Sequence, residues 1–219
     1  MINIHPWNVT PKQAFAIQDK LAGTVITRDA FGTIRTVAGV DVGFEKNNTI
    51  TSSAVAVLSY PALEFRECAV ARRKTTFPYI PGLLSFREIP AVLDALKKLK
   101  QPPDILLCDG QGIAHPRRMG IASHLGVITG LPSIGVAKSR LIGTYEPVGK
   151  NRGNWSPLLD KEEIIGAVLR TRTKVKPLFI SPGHRVSLKT AIRMTMACCT
   201  KYRLPETTRC AHALASGNI

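Results

Sequence analysis

Asp41 lies inside the run Val37-Ala38-Gly39-Val40-Asp41-Val42-Gly43-Phe44, whose other members are apolar or glycine. Side chains alternate along an extended strand, so Val40, Val42 and Phe44 share one face and Gly39, Asp41 and Gly43 the other. A carboxylate in mid-strand is costly unless it is paired or metal-bound. The two glycines on its own face leave room for a ligand beside it. A second acid, Asp109, ends the apolar run Ile105-Leu106-Leu107-Cys108. In open α/β sheets, ligands collect outside the carboxyl ends of the strands. If the two strands are parallel neighbours, the carboxylates meet at that edge, and they then need a cation or a shared proton. Donors that are all oxygen suit Mg2+ or Mn2+ and not zinc. Each acid alone also has a plainer reading: Asp41 paired with an arginine at a strand end, Asp109 in an Asp-Gly turn.

Three further residues belong to this chemistry or to ordinary structure. Glu88 follows Ser85 by three positions, the spacing of a capping box, so it reads as a cap as readily as a third acid. His212 follows Arg209 by three positions and Thr208 by four in the last helical segment, where a histidine is commonly a surface residue. Tyr79, in Pro78-Tyr79-Ile80-Pro81, is an aromatic on a stiffened loop. It can act as a wedge in a base stack or pack beneath its own turn.

The elements that must position these residues follow from hydrophobic period and turn chemistry. Thr10-Pro11 can begin a helix with Ala14, Ile17, Leu21 and Val25 on one face. Strands are expected over 36–44, 51–59 and 63–71, joined by the turn-prone Lys46-Asn47-Asn48 and Tyr60-Pro61. Such short links suit antiparallel neighbours. A loop over 75–82 precedes a helix that either Ser85 caps or Pro90 begins. Pro102-Pro103 breaks that helix. A buried strand over 105–109, a Gly-rich loop over 110–120, a helix to Thr129 and a strand over 132–136 require parallel crossovers. Residues 143–161 read as a surface excursion. Strands over 163–170 and 177–181 and helices over 187–200 and 205–216 close the chain. Three antiparallel strands followed by parallel strands alternating with helices is the order of a ribonuclease H-like fold. The fold class is therefore α/β, a mixed sheet flanked by helices, in one domain over 1–219.

Composition narrows the partners. Thirty Lys and Arg against 15 Asp and Glu give a formal charge of +15 on 219 residues, which favours a polyanion. No apolar run approaches the ~20 residues of a membrane span, so no membrane partner is expected. Residues 1–11 lack a secretory pattern. The five cysteines are odd in number and form no C-x-x-C pair, which argues against a disulfide framework and a zinc site. A reducing, cytoplasmic protein with buried thiols is the expectation. Divalent-metal chemistry beside a basic surface points to phosphodiester hydrolysis.

Several stretches resemble the endonuclease V family, in that family's order. They are 38–44, Pro78-Tyr79-Ile80-Pro81-Gly82-Leu83-Leu84-Ser85-Phe86-Arg87-Glu88 and Asp109-Gly110-Gln111-Gly112-Ile113-Ala114-His115-Pro116-Arg117, then 134–138, 183–187 and 202–209. The resemblance implies a ribonuclease H-like, Mg2+-dependent enzyme, with Mn2+ as a substitute. Such an enzyme cuts the DNA strand carrying deoxyinosine at the second phosphodiester bond 3′ of the lesion. Inosine-containing RNA is a further expected partner; no protein partner is implied, and a monomer is expected. Carried over by position, the metal carboxylates are Asp41, Glu88 and Asp109. The family's additional site residue, Asp in some members and His in others, falls on His212, which would assist proton transfer or position water. Lys138 would sit near the scissile phosphate, unless it is an ordinary solvated lysine. Pro78, Tyr79 and Ile80 would form the wedge. Gly82, Gly110, Gly112 and Gly120 would let backbone groups approach a flipped hypoxanthine between Leu84 and Ile121, and His115, Arg117 and Arg118 would bind phosphate or order the loop. The alternatives are an RNA-selective inosine nuclease, a junction resolvase of the same fold, and a non-catalytic nucleic-acid-binding module.

Overall fold

Thr10 caps the first helix: its hydroxyl accepts from the Gln13 amide, and the Gln13 side chain reaches back to the Thr10 N–H at 2.8 Å. This starts α1 (Pro11–Ala22) in a computed structural model that describes residues 4–216. Met1, Ile2 and Asn3, part of the segment read as lacking a secretory pattern, lie outside the described residues, as do 217–219. Helix α1 buries Ala14, Gln18 and Leu21. Ile17 is only partly buried and Val25 lies beyond the helix, so the expected stripe is shorter and includes a glutamine instead.

The three N-terminal strands are β1 (Thr36–Glu45), β2 (Ile50–Ser59) and β3 (Phe65–Lys74), all antiparallel neighbours. Lys46, Asn47 and Asn48 take positive φ and turn the chain between the first two. Helix α2 (Leu84–Leu96) is capped by Leu83 with no side-chain hydrogen bond, and Pro90 lies within it. Ser85 is therefore not the cap, and the capping-box reading of Ser85 and Glu88 is wrong: the Ser85 hydroxyl is engaged by His124 instead.

The remaining elements are β4 (Ile105–Cys108), α3 (Ile121–Thr129), β5 (Ser133–Ala137), β6 (Trp155–Asp160), β7 (Glu163–Leu169), β8 (Leu178–His184), α4 (Leu188–Cys198) and α5 (Glu206–Ala215). The eight strands form one sheet in the order β3-β2-β1-β4-β5-β8-β7-β6. Strands β1, β4 and β5 run parallel to one another; β8, β7 and β6 continue the sheet antiparallel. Mixed α/β architecture with the predicted order is thus observed. Residues 143–161 are more than an excursion, because β6 lies among them and pairs with β7 from Trp155 to Asp160.

Alternation along β4 divides the core. Leu106 and Cys108 join Val40, Val55, Ile89, Val92 and Leu125 beneath α2 and α3. Ile105 and Leu107 join Val37, Ile134, Ile180, Val186 and Met194 on the face that α4 covers. The cysteines are all free, but Cys68 is exposed, so the expectation of uniformly buried thiols fails there. No described helix is long and apolar enough to cross a membrane.

Helix α5 lies on the Gly39, Asp41 and Gly43 face of β1. A Cβ at Gly39 would meet the Thr207 carbonyl oxygen at 2.0 Å. The space that the sequence suggested for a ligand beside Asp41 is therefore filled at Gly39 by a helix. That helix carries His212 to the acid.

Candidate active site

Parallel pairing of β1 with β4 aligns Val40 with Cys108, and the Asp109 N–H donates to the Val40 carbonyl at 3.1 Å. Asp41, within β1, and Asp109, just past the end of β4, are the next residues on the two strands and so lie side by side. Glu88 reaches them from the second turn of α2. All three line one cavity of about 300 Å³, together with His212 and Lys138.

The charges in this cavity are crowded. Burial, reinforced by the charges of Asp41 and Asp109, pushes the Glu88 carboxyl up to about 8. Burial also raises Asp109, against the hydrogen bond and charge of Lys138, with which it forms an ion pair. His212 Nδ1 lies 2.7 Å from Asp41 Oδ2, so that nitrogen carries the proton and donates to the carboxylate. The His212 side chain is 59% exposed, which leaves its other nitrogen open to solvent.

Among the described residues, no three His, Cys, Asp or Glu side chains already converge as a metal cage. Lys138 holds one oxygen of Asp109 and His212 one of Asp41. The donor set nevertheless fits a hard divalent cation. It is all carboxylate oxygen, it faces one cavity, and its mutual repulsion is the kind that a cation relieves.

A second cavity, of about 410 Å³, adjoins the first and shares Glu88, Asp109, Ile121 and Lys138 with it. Tyr79, Gly82, Leu84, Gly110, His115 and Gly120 line it as well. Tyr79 is 68% exposed, which excludes packing beneath its own turn. Gly82 has φ 82° and Gly110 φ 155°, backbone that other residues rarely adopt.

His115 is buried and holds this loop together. Its Nδ1 accepts from the Arg117 N–H at 3.2 Å, so its Nε2 donates to the Gly82 carbonyl at 3.0 Å. Burial pushes its pKa down to about 4, which keeps it neutral. Arg117 donates to Gln18 at 2.8 Å and stacks on Phe15, while Arg118 pairs with Asp160 and Glu163 at 2.8 Å each. These contacts are the kind expected of the loop-ordering role, and His115 also lines the cavity.

Other expected pocket residues fall elsewhere. Gly112 does not line the cavity: it donates to the Ser181 hydroxyl at 2.8 Å, and a Cβ there would meet the Pro182 carbonyl oxygen at 2.0 Å. Pro78 and Ile80 are also outside the lining, and Ile80 packs with Phe77, Leu83 and Phe86. Sequence reasoning missed Gln111, Met119, Ser139, Arg140 and Leu141 on the cavity wall. It also assigned nothing to Arg203, which donates to the carbonyls of Lys138 at 2.9 Å and Pro177 at 2.8 Å and so holds the Lys138 backbone. Arg203 stands in one of the stretches that carried the resemblance, but nothing local in the sequence ties it to Lys138.

Comparison with known proteins identifies the family. The family model for endonuclease V matches residues 19–213. The endonuclease V of Rippkaea orientalis is 62% identical over 210 residues, covering 95% of this chain and 92% of the relative. The crystal structure of endonuclease V from Streptomyces avermitilis superposes with a TM-score of 0.92 at 47% identity, over 96% of this chain and 93% of that one. Ciona intestinalis endonuclease V, crystallised with a 24mer DNA containing an inosine followed by a ribo-adenosine, superposes with a TM-score of 0.84 at 33% identity. That match covers 94% of this chain and 96% of the other.

Proposed function

Because the chain belongs to the endonuclease V family, we propose that it cuts the DNA strand carrying deoxyinosine at the second phosphodiester bond 3′ of the lesion. The observation that carries this reading is the pair of adjoining cavities. One gathers Asp41, Glu88 and Asp109, and the other opens behind an exposed tyrosine. The second has a volume in the ordinary small-ligand range of ~300–1,000 Å³.

Asp41, Glu88 and Asp109 would hold Mg2+, or Mn2+ in its place. When bound, the cation supplies charge stabilisation for the attacking and leaving oxygens of the phosphate. Asp41 holds His212 through Nδ1 and leaves Nε2 outward, where it can assist proton transfer or position the attacking water. Lys138 lines both cavities, and once Asp109 is otherwise neutralised its ammonium is available to the scissile phosphate. Tyr79 can fill the gap that a flipped base leaves in the stack, and the second cavity can take the base.

The test is a set of matched oligonucleotides carrying deoxyinosine, adenine, ribo-inosine or a four-way junction, each with Mg2+ or with chelator. The expected result is one nick, two bonds 3′ of deoxyinosine, in Mg2+ only, and none from Asp41→Asn, which still binds the lesion. Cleavage that ignores the deoxyinosine, or that persists in chelator, would refute the reading.

A further inference from the structure

We propose that Ser85 presents to the second cavity a hydroxyl that only accepts a hydrogen bond, selecting a base whose facing ring nitrogen carries a proton, and that His124 and His5 impose this state. The proposal rests on the inosine reading above and assigns a selecting group that the backbone-only pocket lacked.

Its basis is a chain of contacts with one possible direction. His5 Nδ1 lies 2.8 Å from the Pro6 carbonyl oxygen, which can only accept, so that nitrogen carries the proton. A neutral His5 then offers its Nε2 as an acceptor. His124 Nε2 lies 2.8 Å from it and must be the donor. That leaves His124 Nδ1 unprotonated, and Ser85 Oγ, 2.9 Å away, must donate to it. The single hydroxyl proton of Ser85 is thereby committed inward, and only lone pairs remain for whatever enters the cavity that Ser85 lines.

The surroundings keep both rings neutral. His124 is fully buried, His5 is 9% exposed, and the rings of Trp7 and Phe86 pack around them at centroid distances of 4.6 Å and 5.1 Å. Burial pushes His124 down to about 3 and lowers His5, so neither ring gains the second proton that would reverse the chain. Hypoxanthine carries a proton on the ring nitrogen beside its carbonyl. Adenine has a lone pair there. An acceptor-only hydroxyl attracts the first and repels the second. Ser85 stands one turn before Glu88 on α2, so one helical turn sets both the base contact and an acid.

Two measurements test this. Long-range 1H–15N spectra of histidine-labelled protein should show His5 protonated on Nδ1 and His124 on Nε2. A proton on His124 Nδ1 would overturn the proposal without any substrate being present. Binding is then measured in chelator, using oligonucleotides that carry deoxyinosine or unsubstituted purine, whose ring nitrogen has no proton. Ser85→Ala should weaken binding of the deoxyinosine strand about tenfold and leave the purine strand unweakened or bound more tightly, because the repulsion between two lone pairs is removed. His5→Phe, which frees the tautomer of His124, should lose part of the same preference, and full retention would overturn the relay. Equal losses on both strands by Ser85→Ala would show a structural role and overturn the assignment of Ser85. A wild type with no preference for deoxyinosine would instead overturn the substrate reading.

Discussion

Gly39 and Gly43 share one face of β1, yet replacing each with alanine should have opposite outcomes. At Gly39 the added Cβ would sit 2.0 Å from the Thr207 carbonyl oxygen, whereas at Gly43 it would meet the Ala215 oxygen at 3.6 Å, an ordinary contact. Contacts below about 3 Å are not tolerated, so α5 must retreat from Gly39→Ala by about 1 Å or more. Thr207, Thr208, Ala211 and Ala215 are buried under that helix, and overpacking of this kind costs about 1–3 kcal/mol. In a chain of this size a loss of ~2 kcal/mol lowers Tm by ~4–8 °C. The same movement would stretch the His212–Asp41 hydrogen bond, now 2.7 Å, beyond useful length. A misplacement of ~1 Å can cost about 100-fold in rate. Thermal melts by circular dichroism and single-turnover nicking of a deoxyinosine oligonucleotide read both effects. Gly43→Ala should match the wild type in each. If Gly39→Ala melts and cuts like the wild type, or if Gly43→Ala is equally damaged, the packing of α5 as the support of this site is refuted.

Other outcomes follow from single side chains. Tyr79→Ala should leave Tm unchanged, because the ring is 68% exposed, but should weaken binding of deoxyinosine duplex by about 5- to 100-fold, the worth of one base–aromatic stack; equal affinities in a gel-shift titration would remove the wedge. Glu88 carries an acid pushed from 4.5 up to about 8, so its unfavourable charge is absent below pH 4.5 and grows as pH rises through 8. In chelator, the wild type should therefore lose stability across that window, by ~2–4 kcal/mol once cavity water is allowed to screen the charge. Glu88→Gln should be more stable than wild type at pH 9 and similar to it at pH 5, as read by urea denaturation; the same difference at both pH values would contradict the crowding of the three acids. Mg2+ affinity of the wild type should rise over the same range, because binding releases the proton.

Local pattern made the two aspartates legible. Alternation placed Asp41 on one face, and the end of an apolar run placed Asp109 at a strand terminus, but their meeting depended on β1 and β4 being parallel neighbours. Glu88 was ambiguous for a local reason: the Ser85 spacing suits a cap, and only the burial of Ser85 against His124 decides otherwise. Glycines were legible as small residues, but not as to what fills the space. Thr207 occupies it at Gly39 and Pro182 at Gly112, through contacts between distant parts of the chain. The basic pair Arg117 and Arg118 looked available to phosphate, while their partners Gln18, Asp160 and Glu163 lie far away in sequence. Strand β6 was hidden in a Gly-, Pro- and Asn-rich stretch, although alternate burial along Trp155–Asp160 marks it in the fold. The His5–His124 contact spans 119 positions, beyond any local signal.

The gathering of Asp41, Glu88 and Asp109 around one divalent cation is tested most directly by anomalous scattering from crystals soaked in Mn2+. One peak should appear in their shared cavity, with oxygens of Asp41 and Asp109 within about 2.5 Å and Glu88 facing it. Manganese bound only elsewhere, or a cavity without a peak at a concentration that supports cleavage, would contradict the assignment.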